Sequence, residues 1–124
     1  MNGNTNFFKQ NDVITSILYE DADAVKKMGE LGFLGMMVDP KYGGAGLDSV
    51  SYVLAMEEIA KVDASAAVVM SVNNSLVCAG MEKYCSEEQK QKYLVPLASG
   101  EVIGAFCLSE PEAGSDATSQ KTTA

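Results

Sequence analysis

VIGAFCLSEPEAGSD, residues 102–116, decides how the chain reads. Val102 to Leu108 form an almost continuous apolar run just after Gly100. A short run of this kind predicts a strand buried on both faces. A turn of small, hydroxyl-bearing and acidic residues follows at once. No other segment gives a comparable strand signal. A lone strand leaves its main-chain donors and acceptors unpaired, so it requires neighbours. The predicted fold is therefore mainly α: an incomplete helical bundle ending in the first strand of a truncated β domain.

Upstream, helical signals dominate. Asp12 is the expected cap of a first helix. Ile14, Ile17, Leu18, Val25 and Met28 follow at helical spacing, and Gly32 is the expected stop. Residues 32–46, GFLGMMVDPKYGGAG, hold six Gly or Pro among fifteen and predict a loop that packs some apolar residues. Asp48 caps the next predicted helix, with Val50, Val53, Leu54, Ile59 and Ala60 as its apolar face. Glu57 and Glu58 fall off that face and read as a solvated flank rather than an acid–base pair. Asp63 opens a third helix to about Tyr84. Ser86–Gln89 reads as a capping box, with Glu88 and Lys92 one turn apart as an ion pair. Pro96 and Gly100 are expected to close this helix. The division is a loose N-terminus at 1–11, a helical domain at 12–100 and the start of a β domain at 101–124.

The third helix is apolar nearly all round, which predicts burial. Ser71, Asn74, Ser75 and Cys78 interrupt it at i, i+3, i+4 and i+7. Buried polar groups need partners. Such a stripe fits either close helix packing or the wall of a pocket, and spacing alone does not choose.

Composition narrows the function classes. The net charge is −8, which argues against a nucleic-acid module or a polybasic membrane anchor. The chain has no histidine, which removes Ser-His and Cys-His catalysis and histidine metal sites from what it does alone. No metal site is expected. Cys78, Cys85 and Cys107 form no CxxC pair and read as reduced thiols. Uninterrupted apolar runs are short against the roughly 20 residues of a spanning helix, and the polar start carries no signal-peptide block. A soluble, cytoplasmic protein without membrane attachment is expected.

The turn after the strand has chemistry of its own. Ser109 and Thr118 supply hydroxyls, and Pro111 fixes a dihedral angle. Gly114 permits close backbone approach. Ser115 adds an N–H and a hydroxyl, and successive N–H groups in such a turn can cradle an anion. Alone this signal is weak, because small polar turns after strands are common.

FCLSEPEAGSD, Phe106 to Asp116, also resembles the flavin-binding signature of the acyl-CoA dehydrogenase family. That pattern is an aromatic residue, two apolar or small residues, Ser or Thr, then Glu-Pro-x-x-Gly-Ser-Asp. KKMGELGFLGMMVDPKYGGAG, AMEEIAKVDAS and EEQKQKYLVPLASGEVIGAFCLSEPEAGSDA resemble further family segments in the family's order. The likeness covers about residues 25–124, and MSVNNSL, Met70 to Leu76, is most similar to the short-chain or butyryl-CoA branch.

The resemblance implies an FAD cofactor and α,β-dehydrogenation of an acyl-CoA thioester to the trans-2-enoyl-CoA. It places Phe106, Cys107, Leu108, Ser109, Gly114 and Ser115 along the flavin. Ser115 also approaches the acyl-CoA, and Met70, Ser71 and Asn74 help to line the acyl pocket. It implies an electron-transfer flavoprotein as acceptor and a homo-oligomeric parent. The family's glutamate base lies in a C-terminal helical domain beyond these residues. Glu57, Glu58, Glu110 and Glu112 do not match its motif, so no catalytic residue is nominated. The first 24 residues depart from the family pattern. A chain of this extent is expected to bind FAD weakly or not at all and to lack dehydrogenase activity alone. The alternatives are an acyl-CoA oxidase-like relative and a non-catalytic helical interaction domain.

Overall fold

The computed structural model describes residues 23–123. The expected cap at Asp12, the apolar positions Ile14, Ile17 and Leu18, and the 1–11 segment lie outside them. Four helical elements follow in order. The described part of α1 covers residues 23–30, and α2 is Ser49–Val62. Helix α3 runs Ala64–Ser71, widens into a π-helical stretch at Val72–Cys78, and continues as Ala79–Tyr84. Helix α4 joins Glu87–Gln89, a π stretch at Lys90–Leu94, and Val95–Ser99.

The predicted caps account for the boundaries. Asp48 accepts from Ser51 N at 2.8 Å, and Asp63 accepts from Ser65 N at 2.8 Å and Ala66 N at 3.2 Å. Each satisfies N–H groups that a first helical turn leaves free. Ser86 and Gln89 exchange both bonds of a capping box. Pro96 lies inside α4 rather than ending it. A proline there denies the preceding turn a donor and crowds a carbonyl. The wider π turn just before it accommodates that ring, and the helix closes at Gly100 with φ 76°.

Helix α3 is the axis of the fold. Its first part packs on α2, its π stretch on the Phe33–Gly35 turn and the end of α4, and its last part on the middle of α4. At 21 residues it is long and apolar enough to cross a membrane by length and composition. It is a core helix along one face only, against the expected burial: Val68 and Leu76 are exposed. Met70, Asn73, Asn74 and Cys78 are buried against neighbouring segments.

One core cluster gathers Val25, Met28, Leu34, Met36, Tyr52, Ala66 and Met70. A second gathers Val38, Tyr42, Cys78, Leu94, Leu97 and Ala98. Full burial of a large apolar side chain contributes about 1.5–3 kcal/mol. The Gly-rich 32–46 segment feeds both clusters and stops α1 at Gly32, as expected.

Three expectations need correction. The inward face of α2 is Tyr52, with Ala55, Met56 and Ile59 partly buried beside it. Val50, Val53 and Leu54 point outward. Both faces of α2 are apolar, so periodicity did not single out the one that carries the Tyr52 ring. Glu57 and Glu58 are solvated, as expected, and Glu58 pairs with Lys61. The Glu88–Lys92 pair does not form among the described residues; Lys92 lies over the Tyr93 ring at 5.0 Å. Val102–Leu108 forms no strand, and the described residues contain none. Val102, Ile103, Phe106 and Leu108 are all exposed. The described residues offer this run no neighbouring strand with which to build a ladder or bury its side chains. The mainly α bundle stands without it.

Candidate functional site

The segment leaving α4 returns to α3 before it reaches the loop. Val102 N donates to Pro96 O at 3.2 Å, and Gly104 N donates to the Asn73 side-chain oxygen at 3.0 Å. Ala105 and Phe106 then line an open apolar groove of about 230 Å³ with Leu76, Val77, Gly80 and Met81 of α3.

Beyond Phe106 the loop is shaped by carboxylates. Glu110 and Ala113 bond reciprocally through their main chains, at 2.9 and 3.1 Å, across a turn with Pro111 in its first central position. The Glu110 carboxylate accepts from Lys121 N at 2.7 Å and Thr122 N at 3.2 Å. These bonds, Lys121 N foremost, hold its pKa below the usual value. Asp116 accepts from the Ser119 hydroxyl at 2.6 Å, the Thr118 hydroxyl at 2.5 Å and Thr118 N at 3.2 Å. The hydroxyls, Ser119 first, depress its pKa as well. Gln120 donates to Leu108 O at 2.6 Å, and Lys121 pairs with Glu112. The 117–122 stretch is thus folded back on 108–112.

This bracing leaves a defined set of groups open. Phe106, Cys107, Leu108, Ser109, Gly114 and Ser115 are all exposed. Among the described residues, no protein acceptor takes the N–H of Cys107, Leu108, Ser109 or Ser115, or the hydroxyls of Ser109 and Ser115. A Cβ on Gly114 would meet nothing within 4 Å. Adjacent N–H donors, two hydroxyls and an unobstructed glycine suit a ligand bearing carbonyl and phosphate oxygens. The loop therefore fits the polar edge and phosphates of a dinucleotide such as FAD.

The three α3 residues differ. Ser71 is half-buried, and its carbonyl accepts from the exposed Ser75 hydroxyl at 2.7 Å. Met70 is wholly buried in the core. Asn74 spends its amide hydrogens on Phe33 O at 2.8 Å and Met70 O at 3.0 Å, while its buried oxygen has no partner among the described residues. Ser71, Asn74, Ser75 and Cys78 therefore do not form one buried stripe. The three cysteines are free, and burial pushes the Cys78 thiol up to about 12. Among the described residues no His, Cys, Asp or Glu cluster could hold a metal.

Sequence reasoning missed Asn73. It is wholly buried, yet it falls one residue off the expected polar stripe. Its signal was an amide inside an apolar helix, which must find partners when buried.

Fold and loop define a class: a helical domain whose last helix hands over to an exposed, donor-rich loop. Residues 12–101 match the family model described as acyl-CoA dehydrogenase, N-terminal domain. The chain belongs to the acyl-CoA dehydrogenase family. It is 54% identical over 103 residues to the mitochondrial short-chain specific acyl-CoA dehydrogenase of Homo sapiens, covering 83% of this chain and 25% of that protein. It superposes with TM-score 0.78 and 50% identity on a chain in the structure of the electron transferring flavoprotein of Acidaminococcus fermentans, covering 83% of this chain and 27% of that one. It also superposes with TM-score 0.73 and 36% identity on acyl-CoA dehydrogenase complexed with FAD from Bacillus anthracis, covering 92% and 20%. The chain spans about a quarter of the length of the curated relatives it matches.

Proposed function

We propose that this chain supplies one edge of the FAD and substrate site of an acyl-CoA dehydrogenase acting on short acyl chains. The observation that carries the reading is the exposed loop, with its free donors at Leu108, Ser109 and Ser115, braced by Glu110 and Asp116. The domain division 12–100 and 101–124 belongs to the same reading: the helical unit is the platform, and the segment after Gly100 carries the loop.

The flavin, when bound, supplies hydride acceptance in the α,β-dehydrogenation. This chain's residues bind and orient. The N–H groups of Leu108 and Ser109 and the Ser109 hydroxyl would hold the carbonyl-bearing edge of the ring system, where such donors disperse negative charge. Ser115 would donate to the pyrophosphate, with Gly114 leaving room for it, and Phe106 and Cys107 would lie beside the ring. Of Met70, Ser71 and Asn74, only the half-buried Ser71 is accessible to a short acyl chain; Met70 and Asn74 are buried and would act only by supporting α3 beneath it.

Glu110 and Glu112 are committed to loop closure, and Glu110 is held ionised by its N–H donors, so neither is proposed as the proton-abstracting base. The human relative is named short-chain specific, which supports the substrate class. The Bacillus anthracis neighbour, complexed with FAD, supports the cofactor. An electron-transferring flavoprotein as partner is supported by the Acidaminococcus fermentans neighbour.

The test is flavin affinity in the protein expressed from its complete reading frame. Ser109→Ala and Ser115→Ala are each expected to weaken FAD about tenfold with the fold unchanged. Affinity unchanged from the unaltered protein in both variants, or no flavin in the unaltered protein, would overturn the reading.

A further inference from the structure

We propose that Asn73 is a positioning residue: its side-chain oxygen holds the Gly104 N–H and thereby sets where the loop at 106–115 stands against α3. Its wider consequence, for flavin, rests on the function proposed above. The latch itself does not.

The orientation of the Asn73 amide is fixed by its neighbours. Its Nδ2 donates to Leu34 O at 2.8 Å and to Leu97 O at 3.0 Å. Both of those groups only accept. Gly104 N only donates, and it reaches Oδ1 at 3.0 Å. A flipped amide would oppose oxygen to two carbonyls and nitrogen to an N–H, losing all three bonds. Asn73 is also fully buried, so none of these bonds is exchanged cheaply for water. One side chain therefore joins the Phe33–Gly35 turn, the end of α4 and the segment that leaves it.

Two further features support a built junction. The π-helical stretch Val72–Cys78 carries Asn73 and Asn74 side by side, both buried, each donating to different main-chain carbonyls. Single π turns of this kind recur at functional positions. Gly104 also lies directly on α3: a Cβ there would stand 2.5 Å from Val77 Cγ1. The segment is thus pinned by a polar tie and by a contact that excludes any side chain. Only four residues separate Gly104 from Ser109, so the junction fixes the near anchor of the loop.

The experiment uses amide exchange and amide shifts by NMR, with FAD affinity as a separate arm, in the protein from its complete reading frame. In the unaltered protein the Gly104 amide is expected to be protected although its segment is largely exposed. Asn73→Ala should speed its exchange about tenfold relative to α3 amides and move the Ser109 and Ser115 amide shifts. Should Asn73→Ala fail to fold, Gly104→Ala leaves all Asn73 donors in place and displaces the segment sterically. It should move the same loop shifts and weaken FAD about tenfold, and adding Val77→Ala should restore both. An unprotected Gly104 amide in the unaltered protein would overturn the latch. So would loop shifts unmoved by Gly104→Ala. Intact latch behaviour in a protein that binds no FAD would instead overturn the flavin reading alone.

Discussion

The Tyr42 hydroxyl donates to a Glu87 carboxylate oxygen at 2.8 Å, tying the Pro40–Tyr42 turn to the start of α4 across 45 positions of sequence. The ring beneath that hydroxyl is buried, with Lys41 and Lys90 nitrogens 4.5 and 5.9 Å from its centroid. The hydroxyl lowers the Glu87 pKa, more than Gln91 or the lysines do. Tyr42→Phe keeps the buried ring and removes the donor, so a fall in Tm of about 3 °C is expected at neutral pH. Folding depresses this carboxyl's pKa, so its contribution is present above the unfolded-chain value and lost as pH falls through the depressed one. The gap between unaltered and Tyr42→Phe proteins should therefore close in acid. Thermal melts from neutral pH to below the usual carboxylate range would show whether it does.

Leu34 tests the core. It is fully buried, joins the cluster of Val25, Met36, Tyr52 and Met70, and offers its own carbonyl to Asn73. Leu34→Ala should cost about 2–5 kcal/mol, a large part of the stability of a small domain. Denaturant unfolding should show a lower midpoint with an unchanged slope. A midpoint equal to the unaltered protein's would mean that the site collapses without a cavity, or that Leu34 is not in the core.

Gly100 and Gly43 share a left-handed backbone but differ in surroundings. At Gly100, φ 76°, a Cβ would lie 2.6 Å from Gly29 Cα; at Gly43, φ 85°, it would meet nothing. Gly43→Ala carries only the conformational cost of about 1–2 kcal/mol. Gly100→Ala carries that cost and also separates α1 from the end of α4. The expected order is Gly100→Ala well below Gly43→Ala in stability, read from the two denaturant midpoints. Equal midpoints would contradict the close approach of Gly29 and Gly100.

How far the sequence revealed this fold depends on the range of each interaction. Asp48, Asp63 and Ser86 cap their helices as read, because a cap is a contact within three residues. Gly32 stops α1 for the same local reason. The face of α2 was misread in part: Ile59 packs inward as read, but Val50, Val53 and Leu54 are as apolar as Ala55 and Met56. Only the tertiary position of the Tyr52 ring distinguishes them. Val102–Leu108 was read as a strand from its composition, but a strand is a relation between segments, and the described residues provide no second one. At the candidate site the exposed donors of Ser109 and Ser115 followed from the motif. The bracing by Glu110 spans 11 and 12 positions and the junction at Asn73 up to 39, and neither left a periodic trace; the Asp116 turn is local and was overlooked.

Asp116 gives the loop its pH dependence. Its carboxylate gathers the Thr118 N–H and the Thr118 and Ser119 hydroxyls, and so folds the Ala117–Ser119 turn beside Ser115. Those hydrogen bonds, led by Ser119, lower its pKa, and Glu110 is lowered by the N–H groups of Lys121 and Thr122. Both carboxylates therefore hold the loop closed above their unfolded-chain values, and the closure is lost as pH falls through the depressed ones. Asp116→Ala removes the first set of bonds at any pH. Amide exchange at Thr118 and Ser119 should rise while α3 amides keep their protection, because the loop is exposed and contributes little to the core. FAD affinity should fall about tenfold if the Ser115 donors depend on that turn. Acid titration of the unaltered protein should reproduce the variant's exchange pattern below the usual carboxylate range. Thr118 and Ser119 amides that exchange at the same rate in both proteins would show that Asp116 does not brace the loop.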